Sequence, residues 1–229
     1  MLNVNKKELT EKLLAEWLQT LEYLDNNKRK QLYEIGCVYS GRNISFLYEI
    51  NRTICEKENT CRDNINDLVY INEKDKHLLI FKESKMEFTY AQMREVLFGL
   101  IDIVEKIYPL GTAVELKKEY LEKIIGKKDI KSAQVIIVNR FIFHNDVKSF
   151  FHYAGIVYPL GFLDESRVIN FTSALVDKVL KKGYSDEKED AYVYFMKKEL
   201  IIDKKMHSFG FSTEEERENF EKKLEVEGA

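Results

Sequence analysis

The sequence predicts an α+β protein: N-terminal helices with a small antiparallel sheet, then a compact curved sheet or small barrel with C-terminal helices. Three observations predict it. Apolar residues recur every three or four positions over 6–25 and over 90–107, the spacing of a helix with one buried face. Several shorter runs alternate in polarity or are apolar throughout, the two signatures of strands. Glycine and proline number only 10 and 2 in 229 residues, too few for a turn-rich all-β repeat. Composition shifts divide the chain into an N-terminal α+β domain over 1–107, a β-rich domain over 108–187 and a helical extension over 188–229.

Taken in order, Leu9, Leu13, Leu14, Trp17, Leu18, Leu21 and Leu24 form the stripe of the first helix, with Glu8, Glu11, Lys12 and Glu16 on its other faces. The stripe reads as core, or as a docking face for another helix. Ser40-Gly41 marks a turn between Leu32–Tyr39 and Ile44–Ile50, and the alternation of Ile44, Phe46, Tyr48 and Ile50 suits a strand pair. Residues 56–66 are polar and read as a loop. Leu68–Ile71 and His77–Phe81 then form a hairpin. Thr89 and Gln92 make a capping box ahead of the helix over 90–107, whose stripe is Met93, Val96, Leu97, Leu100, Ile101, Val104 and Ile107. Tyr108-Pro109 stops it, since a residue before proline is pushed out of α geometry.

Both prolines lie in the same tetrapeptide, Tyr108-Pro109-Leu110-Gly111 and Tyr158-Pro159-Leu160-Gly161. Proline second and glycine fourth suit a type I turn. Strands are expected at Thr112–Lys117, Ala133–Asn139, Ser149–Val157 and Val168–Phe171. Val135–Val138 is apolar on both faces, so that strand should be central. A short helix is expected over Ser173–Lys182, closed by Gly183. Residues 187–205 suit either a helix, with Tyr192, Phe195, Met196 and Leu200 on one face, or a strand in which Tyr192 and Tyr194 alternate with Val193, and the helix is preferred. Ser208–Phe211 reads as a loop. Ser212 with Glu215 would cap a last, mostly solvated helix carrying Phe220 and Leu224.

Composition narrows the function classes. With 45% hydrophobic and 12% aromatic residues the chain can build a core, so it is not a disordered segment. A net charge of -3 gives no reason to expect a nucleic-acid partner. No apolar run reaches the roughly 18 residues of a membrane span, and charges interrupt the N-terminus where a signal peptide would be apolar. Cys37, Cys55 and Cys61 are odd in number and lack paired spacing, which fits a reduced, cytoplasmic chain.

Few residues carry legible chemistry. His144, Asp146 and His152 lie within nine positions and could bind a divalent metal or exchange protons, yet their spacing follows no common metal signature. The alternative is ordinary surface and strand-edge histidine. His77 is the one histidine that could join the cysteines as a metal ligand in the first half. No nucleophile elbow, phosphate loop, dinucleotide fingerprint, HExxH or EF-hand loop occurs. The lysines of Lys117–Lys131 interleave with carboxylates and read as a solvated connection. Catalytic residues, metal ligands and cofactors are therefore all expected to be absent. Phe141, Phe143, Phe150 and Phe151 cluster around one strand–turn–strand, either as hairpin core or as an apolar patch that receives a partner.

The second half resembles a known family. Pro109–Leu116 is similar to an L-P-x-G-S/T-V-V-x-L opening, and Val135–Arg140 to the strand M-I-x-G-R that follows it. Phe151–Gly161 is similar to Y-D-Y-x-G-x-x-Y-P-x-G, and Phe171, Val179 and Gly183–Glu187 to its closing segment. Together they resemble a small uncharacterised-domain family encoded in type VII secretion loci of Gram-positive bacteria. His152 stands where that pattern has aspartate, so no carboxylate chemistry carries over. The resemblance implies a cytosolic accessory protein, a chaperone or adaptor for toxins with an N-terminal LXG domain. On this expectation the partner is a protein, with no nucleic acid and no membrane insertion. The residues expected to meet it are Phe150, Phe151, Tyr153 and Tyr158, through strand addition at a sheet edge. The helices over 6–25 and 90–107 could instead dock a helical client. An immunity protein, or a metal-dependent enzyme built on the two histidines and Asp146, is the alternative.

Overall fold

The structure is a computed structural model and describes residues 5–74, 76–118, 133–144, 147–161, 168–214 and 216–218. It is α+β, in two compact units. One unit comprises the chain up to Glu105 together with Lys197–Asp203, and the other comprises Lys106–Met196 and the chain from Lys204 onward. No helix is long and apolar enough to cross a membrane among the described residues.

The first unit begins with three helices: α1 (Lys6–Thr20), α2 (Asn26–Tyr39) and α3 (Ser45–Cys55). α1 ends at Thr20, short of the end expected at Asp25, and Leu21 and Leu24 reach the core from the following loop. The expected strand pair over 32–50 is helical instead. Asp25 caps α2 by accepting from the Lys28 N–H at 2.8 Å. Leu32, Ile35, Gly36 and Tyr39 then fall on one buried face. In α3 the alternation misleads, because Leu47 is buried while Tyr48 is half-buried. The buried set Phe46, Leu47, Ile50 and Ile54 has period 3.6. Ser40–Asn43 is a turn between helices, with Gly41 at φ 72°.

A four-stranded antiparallel meander follows in the order β1 (Thr60–Asp63), β2 (Leu68–Glu73), β3 (Lys76–Phe81), β4 (Ser84–Phe88). The supposed loop 56–66 thus contains β1, and β4 has no counterpart among the expected strands. Lys82 and Glu83 both have positive φ in the two-residue connection of β3 to β4, the geometry of a primed hairpin turn reached without Gly or Asn. α4 (Tyr90–Val104) carries both bonds of the Thr89–Gln92 capping box, 3.0 and 3.3 Å. It ends at Val104, before the proline has any influence. Trp17 of α1 lies directly over Gly99 of α4, with no room for another carbon.

The second unit holds a mostly antiparallel sheet of β5 (Ala113–Leu116), β6 (Ala133–Phe143), β7 (Ser149–Val157), β8 (Val168–Phe171), β9 (Val176–Lys181) and β10 (His207–Ser208). β6 is central, as its two-faced apolarity predicts, between β5 and β7; β9 pairs with β5, and β7 carries both β8 and the parallel β10 on its outer side. The helix expected over 173–182 is a 3-10 turn, Ser173–Leu175, running into β9.

That short link forces curvature. In a flat sheet β8 and β9 would stand four strand spacings apart, about 19 Å. Phe171 to Val176, partly in a 3-10 turn, spans about 15 Å at most. The sheet therefore curls. Bulges supply the bend at Val138 in β6 and at Asp177 and Leu180 in β9, where register shifts occur. No ladder joins β8 to β9, so the sheet is open and not the closed barrel held out as one option.

α5 (Glu187–Lys197) leads into a π-helix, Lys198–Asp203, as a helix over 187–205 requires. A 3-10 turn covers Phe209–Phe211. Thr213 and Glu216 make a reciprocal cap, with bonds of 3.3 and 2.7 Å, while Glu215 of the expected Ser212 cap lies outside the described residues. Phe220, Leu224 and most of Lys117–Lys131 lie outside the described residues.

Candidate interaction surface

In the first Tyr-Pro-Leu-Gly segment a hydrogen bond from Thr112 N–H to Pro109 O (3.3 Å) closes a turn over Pro109–Thr112. Gly111 is third in it, at φ 76°, the left-handed residue of a type II turn and not the fourth residue of a type I. The turn is tied to the sheet on both sides. Gly111 N–H donates to Ile137 O at 2.8 Å, and Ile137 N–H to Thr112 O at 2.9 Å. The buried Thr112 hydroxyl donates to Pro109 O at 2.7 Å and accepts from Gly183 N–H at 3.1 Å. A Cβ on Gly183 would lie 2.0 Å from Leu110 O, so only glycine lets the segment after β9 lie against this turn.

These bonds bring Leu110, the bulged Val138 and Tyr184 into one neighbourhood, all three exposed. Arg140 extends it. Its buried guanidinium makes a bidentate ion pair with Glu189 of α5, one arm at 3.1 Å, and lies 4.9 Å from the Tyr192 ring centre. Phe141 has φ 55°, so Arg140 and Phe141 are both buried in succession, and Phe141 meets the edge of Tyr192. Tyr192 keeps one side in solvent. Phe195, three residues on along α5, is 64% exposed, and Tyr184 is 82% exposed. Leu110, Val138, Tyr184, Tyr192 and Phe195 are thus exposed apolar side chains on segments held by a turn, a bulge and a buried ion pair.

The residues expected to meet a partner are distributed otherwise. Phe150 and Tyr153 are fully buried. Tyr153 Oη accepts from Tyr108 N–H at 3.1 Å and reaches Lys106 O at 3.3 Å, so it anchors the first turn from beneath. Phe151 is half-buried, its ring centre 4.3 Å from that of Phe209. Of the four, Tyr158 is exposed, in the second tetrapeptide, with Leu160 exposed beside it and Gly161 at φ 72°. Strand addition along β7 is ruled out over most of its length, because Ser149–Phe150 pair with β10 and Tyr153–Ile156 with β8. The faces of α1 and α4 pack into the first unit's own core. On α5 the buried residues are Tyr194 and Lys197, while Tyr192 and Phe195 of the expected apolar face point outward.

The two histidines of the expected set stand apart. His152 is buried in β7, where its Nδ1 accepts from Ser173 N–H at 3.2 Å and its ring meets Phe150 edge-on. His144 follows the end of β6, whose last pair is Phe143 with Phe150; that places the two histidines about three residues apart along the ladder, roughly 10 Å. Asp146 lies outside the described residues. His77 is buried against Tyr70, with Tyr70 Oη and His77 Nδ1 2.6 Å apart, and burial holds its pKa below the ordinary histidine value. Cys37, Cys55 and Cys61 are free thiols in α2, α3 and β1. Among the described residues no three His, Cys, Asp or Glu side chains are grouped to hold a metal ion.

The segment carrying the exposed set matches a family model. Residues 107–192 match DUF4176, a domain of unknown function. The DUF4176 match spans β5 to β9 and the first half of α5, so it includes Leu110, Val138, Arg140, Tyr184, Glu189 and Tyr192. Phe195, like α1 to α4 and the first sheet, lies outside it. No curated protein and no solved structure matches the chain.

Proposed function

We propose that this protein is a non-catalytic accessory factor of type VII secretion that binds a toxin of the LXG class in the cytoplasm, as chaperone or adaptor, before export. The observation that supports the reading is the exposure of Leu110, Val138, Tyr184, Tyr192 and Phe195 on segments tied together by the Thr112–Gly183 and Arg140–Glu189 bonds. Clustered apolar exposure marks interaction sites, and aromatic residues are enriched at interface cores. The resemblance of residues 108–187 to a family encoded in secretion loci supplies the kind of partner. A chaperone must cover apolar client surface and needs no catalytic group.

Co-expression with each toxin encoded beside the gene, followed by affinity purification, tests the reading. A stoichiometric complex that survives removal of the toxin's C-terminal effector region supports an adaptor. A complex that needs the effector region, together with protection of cells expressing that region alone, would favour an immunity protein. No complex with any of these toxins would refute both.

A further inference from the structure

Lys197 is fully buried within the first unit, although Met196 before it belongs to the other. Its Nζ donates to Ile103 O at 2.8 Å and to Glu105 O at 2.6 Å. These are carbonyls at the C-terminal end of α4, where a helix leaves acceptors unsatisfied and its dipole is negative. No basic residue of α4 itself lies in its last turn. The carboxylates of Glu105 and of the buried Asp102 add negative charge around the amine, while Lys6 of α1 opposes it. Glu105 is held in turn by the Tyr48 hydroxyl of α3 at 2.6 Å. Burial lowers the pKa of Lys197 below the ordinary lysine value, and the Glu105 and Asp102 charges oppose that shift. Leu200 and Ile201 are buried just beyond it, and Lys198 pairs with Glu16 of α1 at 3.2 Å.

We infer that the end of α4 is a built socket for a primary amine, formed by Ile103 O, Glu105 O and the Asp102 and Glu105 carboxylates, with Lys197 as its resident ligand. The socket selects an alkyl amine by shape and by its hydrogen-bond acceptors. Two carbonyls accept two N–H bonds, and the tetramethylene stem lies where solvent is excluded. It pins the seven-residue segment Lys197–Asp203, which is too short to hold itself in place.

Chemical rescue tests this in the full-length chain. Lys197→Ala deletes the atoms that propylammonium supplies. The variant should lose thermal stability, and propylammonium at tens of millimolar should restore about half of the lost shift in Tm or more, with no such gain in the wild type. Sodium chloride at equal ionic strength and 1-propanol at equal concentration should not. Equal rescue by 1-propanol would reduce the site to a cavity and overturn the inference, as would an unchanged Tm in the variant. Should Lys197→Ala fail to fold, nitrogen-15 NMR of the wild type decides. A buried, doubly bonded ammonium gives a slowly exchanging Nζ correlation, absent in Lys197→Met. Fast exchange at every lysine would overturn the assignment.

Discussion

Gly99→Ala should destabilise the first unit, against the preference of the helix it sits in. In an exposed helix the change gains about 1 kcal/mol, because alanine loses less backbone entropy. Here the new Cβ would lie 2.0 Å from Trp17 Cζ2, 2.3 Å from Cε2 and 2.8 Å from Cη2. Carbon atoms rest at about 3.5–4 Å, so the overlap exceeds an ångström on two atoms of a rigid ring and approaches it on a third. Trp17 is only 4% exposed and enclosed by core, so α1 must shift from α4 or the ring must leave its rotamer. Overpacking of this kind costs about 1–3 kcal/mol, and the severity of this contact places it at the upper end. After the propensity gain the net loss is about 2 kcal/mol. Urea unfolding followed by far-UV circular dichroism, and by fluorescence of Trp17, the single tryptophan, measures it. The decisive control is Trp17→Phe, which removes the colliding atoms. In that background Gly99→Ala should cost at least about 1 kcal/mol less than alone, a coupling read from the double-mutant cycle. A stabilised Gly99→Ala, or additive costs in the cycle, would refute the packing argument.

Three further outcomes follow from the same geometry. Gly183→Ala meets backbone atoms of Leu110 and Thr112, which cannot rotate away, and should cost on the order of 3 kcal/mol in unfolding assays, whereas Gly111→Ala meets nothing within 4 Å and should cost only about 1 kcal/mol for its positive φ. Glu189→Gln should lose about 3 kcal/mol by leaving the buried Arg140 charge uncompensated, and the apolar pair Arg140→Met with Glu189→Leu should recover most of it, as paired thermal or urea melts will register. Lys197 has a folded pKa of about 8 against an ordinary value of 10.5, so between these the unfolded chain binds more protons and stability rises with pH. Urea unfolding at pH 8 and pH 10 should therefore show the wild type gaining on Lys197→Met, with on the order of 3 kcal/mol as the upper bound, and a gap that narrows instead would contradict the burial of the ammonium.

How much of this fold was legible depended on whether local pattern and burial agreed. α1 and α4 were readable because each shows an unbroken 3.6-residue stripe, and α4 adds a capping box that the structure forms in full. β6 was readable as a central strand because Val135–Val138 is apolar throughout. The failures at 32–39 and 44–50 share one cause. Both segments are amphipathic at more than one period, and Leu47 and Ile54, which settle the helical face, were outweighed by the alternation of Ile44, Phe46, Tyr48 and Ile50. β4 escaped because its turn, Lys82-Glu83, reaches positive φ with residues that rarely adopt it. β9 escaped because two bulges break its alternation and give Leu175, Val176, Val179 and Leu180 a helical look.

The interaction surface was the least legible part, and the curl of the second sheet explains why. Strand alternation normally assigns every second residue to the core. At Val138 the bulge inserts an extra residue, and at Phe141 the positive φ puts two successive side chains inside. From that point the pattern no longer reports which residues face solvent. Phe150 and Tyr153, the strongest aromatic signals in the sequence, are consumed by the interior that the curl encloses, Tyr153 by packing on Phe171 and by bonding the backbone of the first turn. Apart from Tyr158 just after β7, the aromatics left exposed in this unit among the described residues are Tyr184 before α5 and Tyr192 and Phe195 upon it. Their exposure depends on contacts far apart in sequence. Gly183 must meet Leu110 and Glu189 must meet Arg140, separations of 73 and 49 residues that no local period encodes. The signal that could have found them is chemical. Arg140 is a charged residue beside a strand apolar on both faces, and a buried guanidinium requires a carboxylate partner. The acidic run Asp186–Asp190 is the nearest source on an element that follows the sheet, so the pairing, and with it the outward face of α5, was implicit in the need to neutralise one buried charge.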